Sequence, residues 1–165
     1  MKILVIGTWR KDEAKDCQKE AEEIGRLLAD KNHVLLSGGG TGVSQLVVES
    51  YRRHNGKKYV AYFPSKKEMK KAGEKQGVKP DQAVWTKLDY PMRNLFMVKD
   101  CDAVIAVHGG LATLTEVIHA AKDYPKNVAV IDRGELASWI RAIPELRQRV
   151  FLSTDVRAAM AHLEP

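Results

Sequence analysis

Short apolar runs alternate with stretches in which apolar residues recur every three or four positions along most of the chain. The opening run Lys2 to Gly7 (KILVIG) is continuously apolar and stopped by glycine, the pattern of a strand buried on both faces of a parallel sheet. From Asp12 to Lys31, the positions Ala14, Cys17, Ala21, Ile24 and Leu28 predict a helix with one buried stripe. Val34 to Leu36 reads as a second strand, followed by the turn Ser37-Gly38-Gly39-Gly40-Thr41-Gly42 and a helix from Val43 to Arg53 that ends at Asn55-Gly56. Tyr59 to Phe63 is a third strand. Pro91 to Asp100 predicts a helix with proline in its first turn, and Ala103 to Val107 a strand. His108-Gly109-Gly110-Leu111-Ala112 then leads into a helix from Thr113 to Lys122. Strand Val128 to Ile131, helix Leu136 to Ile143, strand Val150 to Leu152 and helix Asp155 to Leu163, capped by Thr154 or Asp155, complete the series.

This alternation predicts a single α/β domain of Rossmann-like, doubly wound architecture: a parallel sheet of six strands with helices on both faces. The 165 residues suit one domain. Residues 64 to 90 break the rhythm and read as an irregular, lysine-rich connection, long enough to carry function. No apolar run approaches the roughly 20 residues that span a bilayer. The start reads as a first strand rather than a signal peptide, so the expected location is cytoplasmic.

The net charge of +6 is concentrated between Pro64 and Pro80, where six lysines stand against Glu68 and Glu74. The lysines have no interleaved aromatics for base stacking, so a solvated loop or short helix is expected there rather than a nucleic-acid surface. Cys17 and Cys101 fall within apolar periodic segments and read as small buried hydrophobes. The five histidines share no spacing that suggests a metal site, and no metal or organic cofactor is expected.

Candidate chemistry lies at the two glycine-rich turns, which follow strands at the sheet end where such folds bind ligands. Glycine lets the backbone approach a phosphate, and the helix that follows offers N–H donors and a positive dipole end. Tight strand-to-helix turns also use glycine without any ligand. Gly38, Gly39, Gly40, Thr41 and Gly42 do not make a Walker loop, because Val43 stands where its lysine would be. Nor do they fit a dinucleotide fingerprint, which would follow the first strand.

The second turn belongs to a longer string, MRNLFMVKDCDAVIAVHGGLATLTE, containing Arg93, Gly109, Gly110, Thr113 and Glu116. This string resembles the LOG-type family of cytokinin-nucleotide phosphoribohydrolases, once labelled lysine decarboxylases. The likeness is to an arginine-bearing helix, an apolar strand and a Pro-Gly-Gly-x-Gly-Thr-x-x-Glu turn, and it reaches back to the first glycine turn. It departs where His108 replaces proline, Ala112 the third glycine, Asn94 a lysine and Thr115 a glutamate. The first glycine turn is also one residue shorter than the family's. These changes bring the chain nearer the wider group that includes molybdenum-cofactor carrier proteins and DNA-processing proteins.

The resemblance implies that Arg93 and Glu116 are catalytic, and that the glycines, Ala112 and Thr113 hold a phosphate. It also implies a homodimer or larger assembly with the arginine helix near its interface. A carboxylate beside a ribose can stabilise the oxocarbenium-like state of N-glycosidic cleavage, and a guanidinium can clamp a phosphate. Against this, Thr113 to Glu116 also spells a capping box, and Arg93 also suits a surface ion pair. Thr8, Trp9 and Arg10 close the first strand on the same rim. Thr8 and Arg10 are candidate phosphate contacts, Trp9 a candidate stacking surface, His108 a hydrogen-bonded structural histidine.

The leading expectation is a nucleoside 5′-monophosphate phosphoribohydrolase. The alternative is a non-catalytic carrier of a phosphorylated cofactor or nucleotide, and a third possibility is single-stranded DNA binding through the lysine segment. Nothing identifies a Schiff-base lysine with pyridoxal-site partners, so lysine decarboxylation is rejected.

Overall fold

The strands assemble as predicted because their side chains have two apolar layers to enter. In the computed structural model, which describes residues 1–164, odd and even positions of the central strands go to opposite sides of one sheet. Strand β1 (Lys2–Gly7) sends Ile3 and Val5 into one core and Leu4 and Ile6 into the other. Strands β2 (Val34–Ser37), β3 (Tyr59–Phe63), β5 (Ala103–Val107) and β6 (Asn127–Ile131) do the same around it. The edges are β4 (Gln82–Trp85) and β7 (Phe151–Ser153). The order is β4-β3-β2-β1-β5-β6-β7, with every pairing parallel.

Helices α2 (Gln18–Asp30), α3 (Val43–Arg53) and α9 (Val156–His162) contribute to the first core. Helices α5 (Tyr90–Asp100), α6 (Leu111–Ile118), α7 (Gly134–Ala142) and α8 (Pro144–Arg149) contribute to the second. The result is the doubly wound arrangement expected. None of the described helices is long and apolar enough to cross a membrane.

Four details differ from the expectation. The first predicted helix is broken into α1 (Lys11–Lys15) and α2, because Cys17 takes a non-helical conformation and the carbonyl of Asp16 accepts from Arg133 instead of a following turn. The stretch 64–90 takes the short-helix form of the two expected for its lysine-rich part, and its remainder is not wholly irregular. It holds α4 (Lys66–Ala72), capped by the Ser65 hydroxyl accepting from the Glu68 amide at 3.3 Å and closed by left-handed Gly73, and it holds the edge strand β4. The sheet therefore has seven strands rather than six. Pro144 opens α8, a further helix where none was expected. Finally, α6 begins at Leu111 and continues as a π-helical turn over His119–Asp123.

The tightest helix contact is α2 on α3. A Cβ added to Gly25 would lie 2.4 Å from the Val47 carbonyl oxygen and 2.7 Å from Ser50 Cβ, so only glycine permits this approach. The Ser50 hydroxyl donates across the contact to the Glu22 carbonyl at 2.6 Å. Gly25→Ala should therefore destabilise the fold by about 1–3 kcal/mol despite alanine's better helix propensity, as measured by urea unfolding. An unchanged or raised unfolding midpoint would show that the helices can separate freely.

Candidate functional site

The chain leaves β1 toward β2 on one side and leaves β5 toward β6 on the other, so the loops after these neighbouring strands diverge. A cleft of about 540 Å³ opens there, lined by Thr8 to Arg10, both glycine turns, Arg93 and Glu116, among others. Such a topological switch point is where open α/β sheets bind ligands.

The two glycine turns prove to be different objects. In the first, side chains are excluded largely by the protein itself. A Cβ on Gly38 would sit 2.4 Å from Arg93 Nη1, one on Gly39 would sit 2.5 Å from the Phe63 ring, and one on Gly42 would sit 2.2 Å from the Thr8 carbonyl oxygen. Gly39 and Gly42 also have positive φ, at +72° and +73°. The Val43 amide donates to the Thr8 carbonyl at 2.9 Å and the Thr41 hydroxyl to the Trp9 carbonyl at 3.0 Å, tying this turn to the loop after β1. At Gly40, a Cβ would meet the Glu74 carboxylate at 2.4 Å.

The second turn is open. A Cβ on Gly110 would meet nothing within 4 Å, and Gly110 is the N-cap of α6 with no side chain capping the helix. The Leu114 amide closes the first helical turn onto the Gly110 carbonyl at 3.0 Å, which leaves the amides of Leu111, Ala112 and Thr113 as the helix's free N-terminal donors. Gly109, at φ +131°, packs its Cα under the Thr113 side chain. His108 is also left-handed, at φ +56°, and its Nδ1 accepts from the Gly109 amide at 2.8 Å.

Arg93 is not a surface residue. It is 5% exposed, and its Nη1 donates to the carbonyls of Gly38 at 2.9 Å and Tyr62 at 2.8 Å. Nε is buried without a partner, and the guanidinium lies 5.2 Å from the centroid of the Tyr90 ring. Burial lowers its pKa, with the Glu116 charge opposing that shift. Glu116 is not in a capping box either, since α6 starts well before Thr113 and Glu116 lies within it. It is 7% exposed, lines the cleft, and has its pKa pushed up to about 7 by burial, with Arg93 pulling the other way.

Thr8 and Arg10 are drawn together by a residue the sequence did not single out. Glu13, in α1, accepts from the Thr8 hydroxyl at 2.5 Å and from Arg10 Nη1 at 2.8 Å. These two bonds hold its carboxyl below the usual range. His108 Nδ1 stands 3.8 Å from the same carboxylate. The usable signal was Glu13's place in the first turn of the helix after β1, five residues past Thr8. Tyr90, whose hydroxyl donates to Glu74, was missed as well. Among the described residues no group of three or more His, Cys, Asp or Glu is placed to hold a metal ion.

The chain belongs to the SLOG cluster4 family, which it matches over residues 1–160, within the LOG- and DprA-like superfamily. An uncharacterised protein of Archaeoglobus fulgidus is 32% identical over 159 residues, covering 95% of this chain and 98% of the relative. Among solved structures, TM1055 superposes with a TM-score of 0.79 at 25% identity, covering 97% of this chain and 96% of that one. The molybdenum cofactor binding protein of the phototrophic bacterium Rippkaea orientalis gives 0.76 at 25% identity, covering 97% and 91%.

Because the folded protein holds Glu116 at about 7 against an ordinary 4.5, it keeps a proton that the unfolded chain has released between those values. The stability this group contributes is fully present below the unfolded value and is lost as pH rises toward 7. Glu116→Gln should flatten the stability profile over that window and leave the variant on the order of 2 kcal/mol more stable than wild type above it. Urea unfolding at a series of pH values checks this; parallel profiles would mean that Glu116 ionises freely.

Proposed function

We propose that this member of the SLOG cluster4 family is a binding or carrier protein for a small phosphorylated compound, nucleotide or cofactor, rather than a hydrolase. The single observation that carries the reading is the open N-terminus of α6 at Gly110, where three backbone donors without a partner and a positive helix end belong to residues lining the switch-point cleft, and where Gly110 has open space around it. The ligand's phosphate sits there. The likeness to the molybdenum cofactor binding protein supports a phosphorylated cofactor as cargo.

Two features support binding without turnover. Nη1 of Arg93 is committed to two backbone carbonyls and Nε is buried, so the guanidinium braces the first glycine turn and has only Nη2 left for a ligand. Glu116, with its pKa raised by burial to about 7, is protonated in a large share of molecules at neutral pH and can then donate to a ligand hydroxyl.

One observation favours the second reading, a nucleoside 5′-monophosphate phosphoribohydrolase. Glu116 sits in the same cleft as the phosphate donors, and a carboxyl with a pKa near 7 also serves as a general acid toward a leaving base. We also propose that two copies pair along α5, which leaves Met92 and Phe96 exposed, and that the protein works in the cytoplasm.

Gly110 has an ordinary backbone conformation at φ −104°, so it accepts a side chain without strain. Gly110→Asp should cap α6 with its own carboxylate, keep or slightly raise stability, and weaken binding of adenosine 5′-monophosphate at least about tenfold. Calorimetric titration measures the binding, and chromatography of the same mixtures reads free base. Release of adenine by wild type, lost in Glu116→Gln, would replace the carrier reading with the hydrolase; undiminished binding by the Gly110 variant would remove the α6 site.

A further inference from the structure

We infer that Trp9 and Leu111 form a clamp for a flat heterocycle, so that the ligand is a phosphate ester carrying an aromatic ring system; this rests on the phosphate site proposed at α6.

Large apolar side chains normally end up mostly covered, and an exposed cluster of them marks an interaction site. Among the described residues, two large hydrophobics are more than half exposed: Trp9 at 66% and Leu111 at 71%. They come from different loops, one after β1 and one after β5, and both line the same cleft. The phosphate donors at Leu111 to Thr113 belong to that cleft too. The other exposed aromatics are differently placed. Trp85 stacks on Phe63 at 4.8 Å, Phe151 on His162 at 4.6 Å, and Phe96 lies on α5.

Exposure alone would fit a loose surface indole, but the Trp9 backbone is anchored. Its carbonyl accepts from Thr41, the preceding carbonyl accepts from Val43, and a Cβ on Gly42 would lie 2.6 Å from the Trp9 carbonyl carbon. The Arg10 guanidinium lies 6.0 Å from the indole centroid and is itself held by Glu13. With its backbone fixed and most of its side chain in water, Trp9 offers a ring face that can stack on a planar ligand without backbone rearrangement. Leu111, at the first position of α6, supplies the apolar wall beside the phosphate donors. A sugar phosphate without a base would use the donors and leave both side chains wet.

The clamp is tested by titrating wild type, Trp9→Ala, Trp9→Phe and Leu111→Ser with ribose 5-phosphate, adenosine 5′-monophosphate, guanosine 5′-monophosphate and neopterin monophosphate. Calorimetry gives the dissociation constants, and the indole quenching that is lost in Trp9→Phe, which keeps Trp85 and Trp139, reports contact with Trp9. The expected result is a loss of roughly tenfold for a ring-bearing phosphate in Trp9→Ala and Leu111→Ser, with Trp9→Phe near wild type and ribose 5-phosphate unaffected. Which ring-bearing probe suffers that loss separates a nucleobase from a pterin as the natural ring. Affinities that are unchanged in Trp9→Ala, or that fall equally for ribose 5-phosphate, overturn the clamp while leaving the phosphate site intact. Wild type that takes up none of the four probes overturns the phosphate site and the clamp with it.

Discussion

The cleft depends on a buried cation, Arg93, held under the first glycine turn by the carbonyls of Gly38 and Tyr62. A guanidinium removed from water is costly unless its N–H groups find acceptors and its charge finds compensation. Here two strand-end carbonyls supply the acceptors, the Tyr90 ring lies against the cation, and Glu116 and Glu74 supply opposing charge. The arrangement ties α5 to the ends of β2 and β3. It also explains Gly38, which has no room for a Cβ because the guanidinium occupies that place. The unpartnered Nε shows that satisfaction is incomplete, a cost that packing elsewhere must offset.

This constraint divides the labour between two turns that look alike in sequence. In the first, glycine is required mainly by contacts within the protein: an arginine under Gly38, a phenylalanine against Gly39, the β1 loop against Gly42. In the second, Gly110 is required by nothing in the protein, and its bareness keeps the α6 donors accessible. Both arise because glycine permits close approach. In the first turn the approaching partner is the protein itself; beside Gly110 the space is open.

The fold was largely legible in the sequence, because strands buried on both faces are continuous apolar runs and Lys2 to Gly7 or Ala103 to Val107 admit no other period. Strand β4 was not. It sits at an edge with one neighbour, its residues are mostly exposed, and Gln82-Ala-Val-Trp85 carries too little apolar signal to declare a strand. Helix α4 was legible in principle, through the Ser65 and Glu68 cap and Gly73, but its lysines and absence of buried residues hid the period. At the site, spacing brought Arg93 and Glu116 to one cleft but misjudged their surroundings. Whether an arginine is buried depends on β2 and β3, which are far from it in sequence. Glu13 escaped for the same reason, since nothing local shows that Thr8, Arg10 and His108 converge on its carboxylate.

The lysine-rich insertion has a structural consequence for how a ligand fits. Its far end folds back so that the Gly77 amide donates to the Gly39 carbonyl at 2.9 Å, and Glu74 rests against Gly40 with the Tyr90 hydroxyl donating to it. The first glycine turn is therefore covered by the chain's own backbone and by a carboxylate, which repels a second anion there. With that half closed to negative charge, the cleft is asymmetric. The open helix start at Gly110 is the half of the cleft suited to an anion, while Glu74 and Glu135 on its lining are acceptors for hydroxyl or N–H donors, the Glu13 carboxylate being already paired with Arg10. An anion spanning both turns would meet the Glu74 carboxylate at the first of them, whereas one confined to the start of α6 would not.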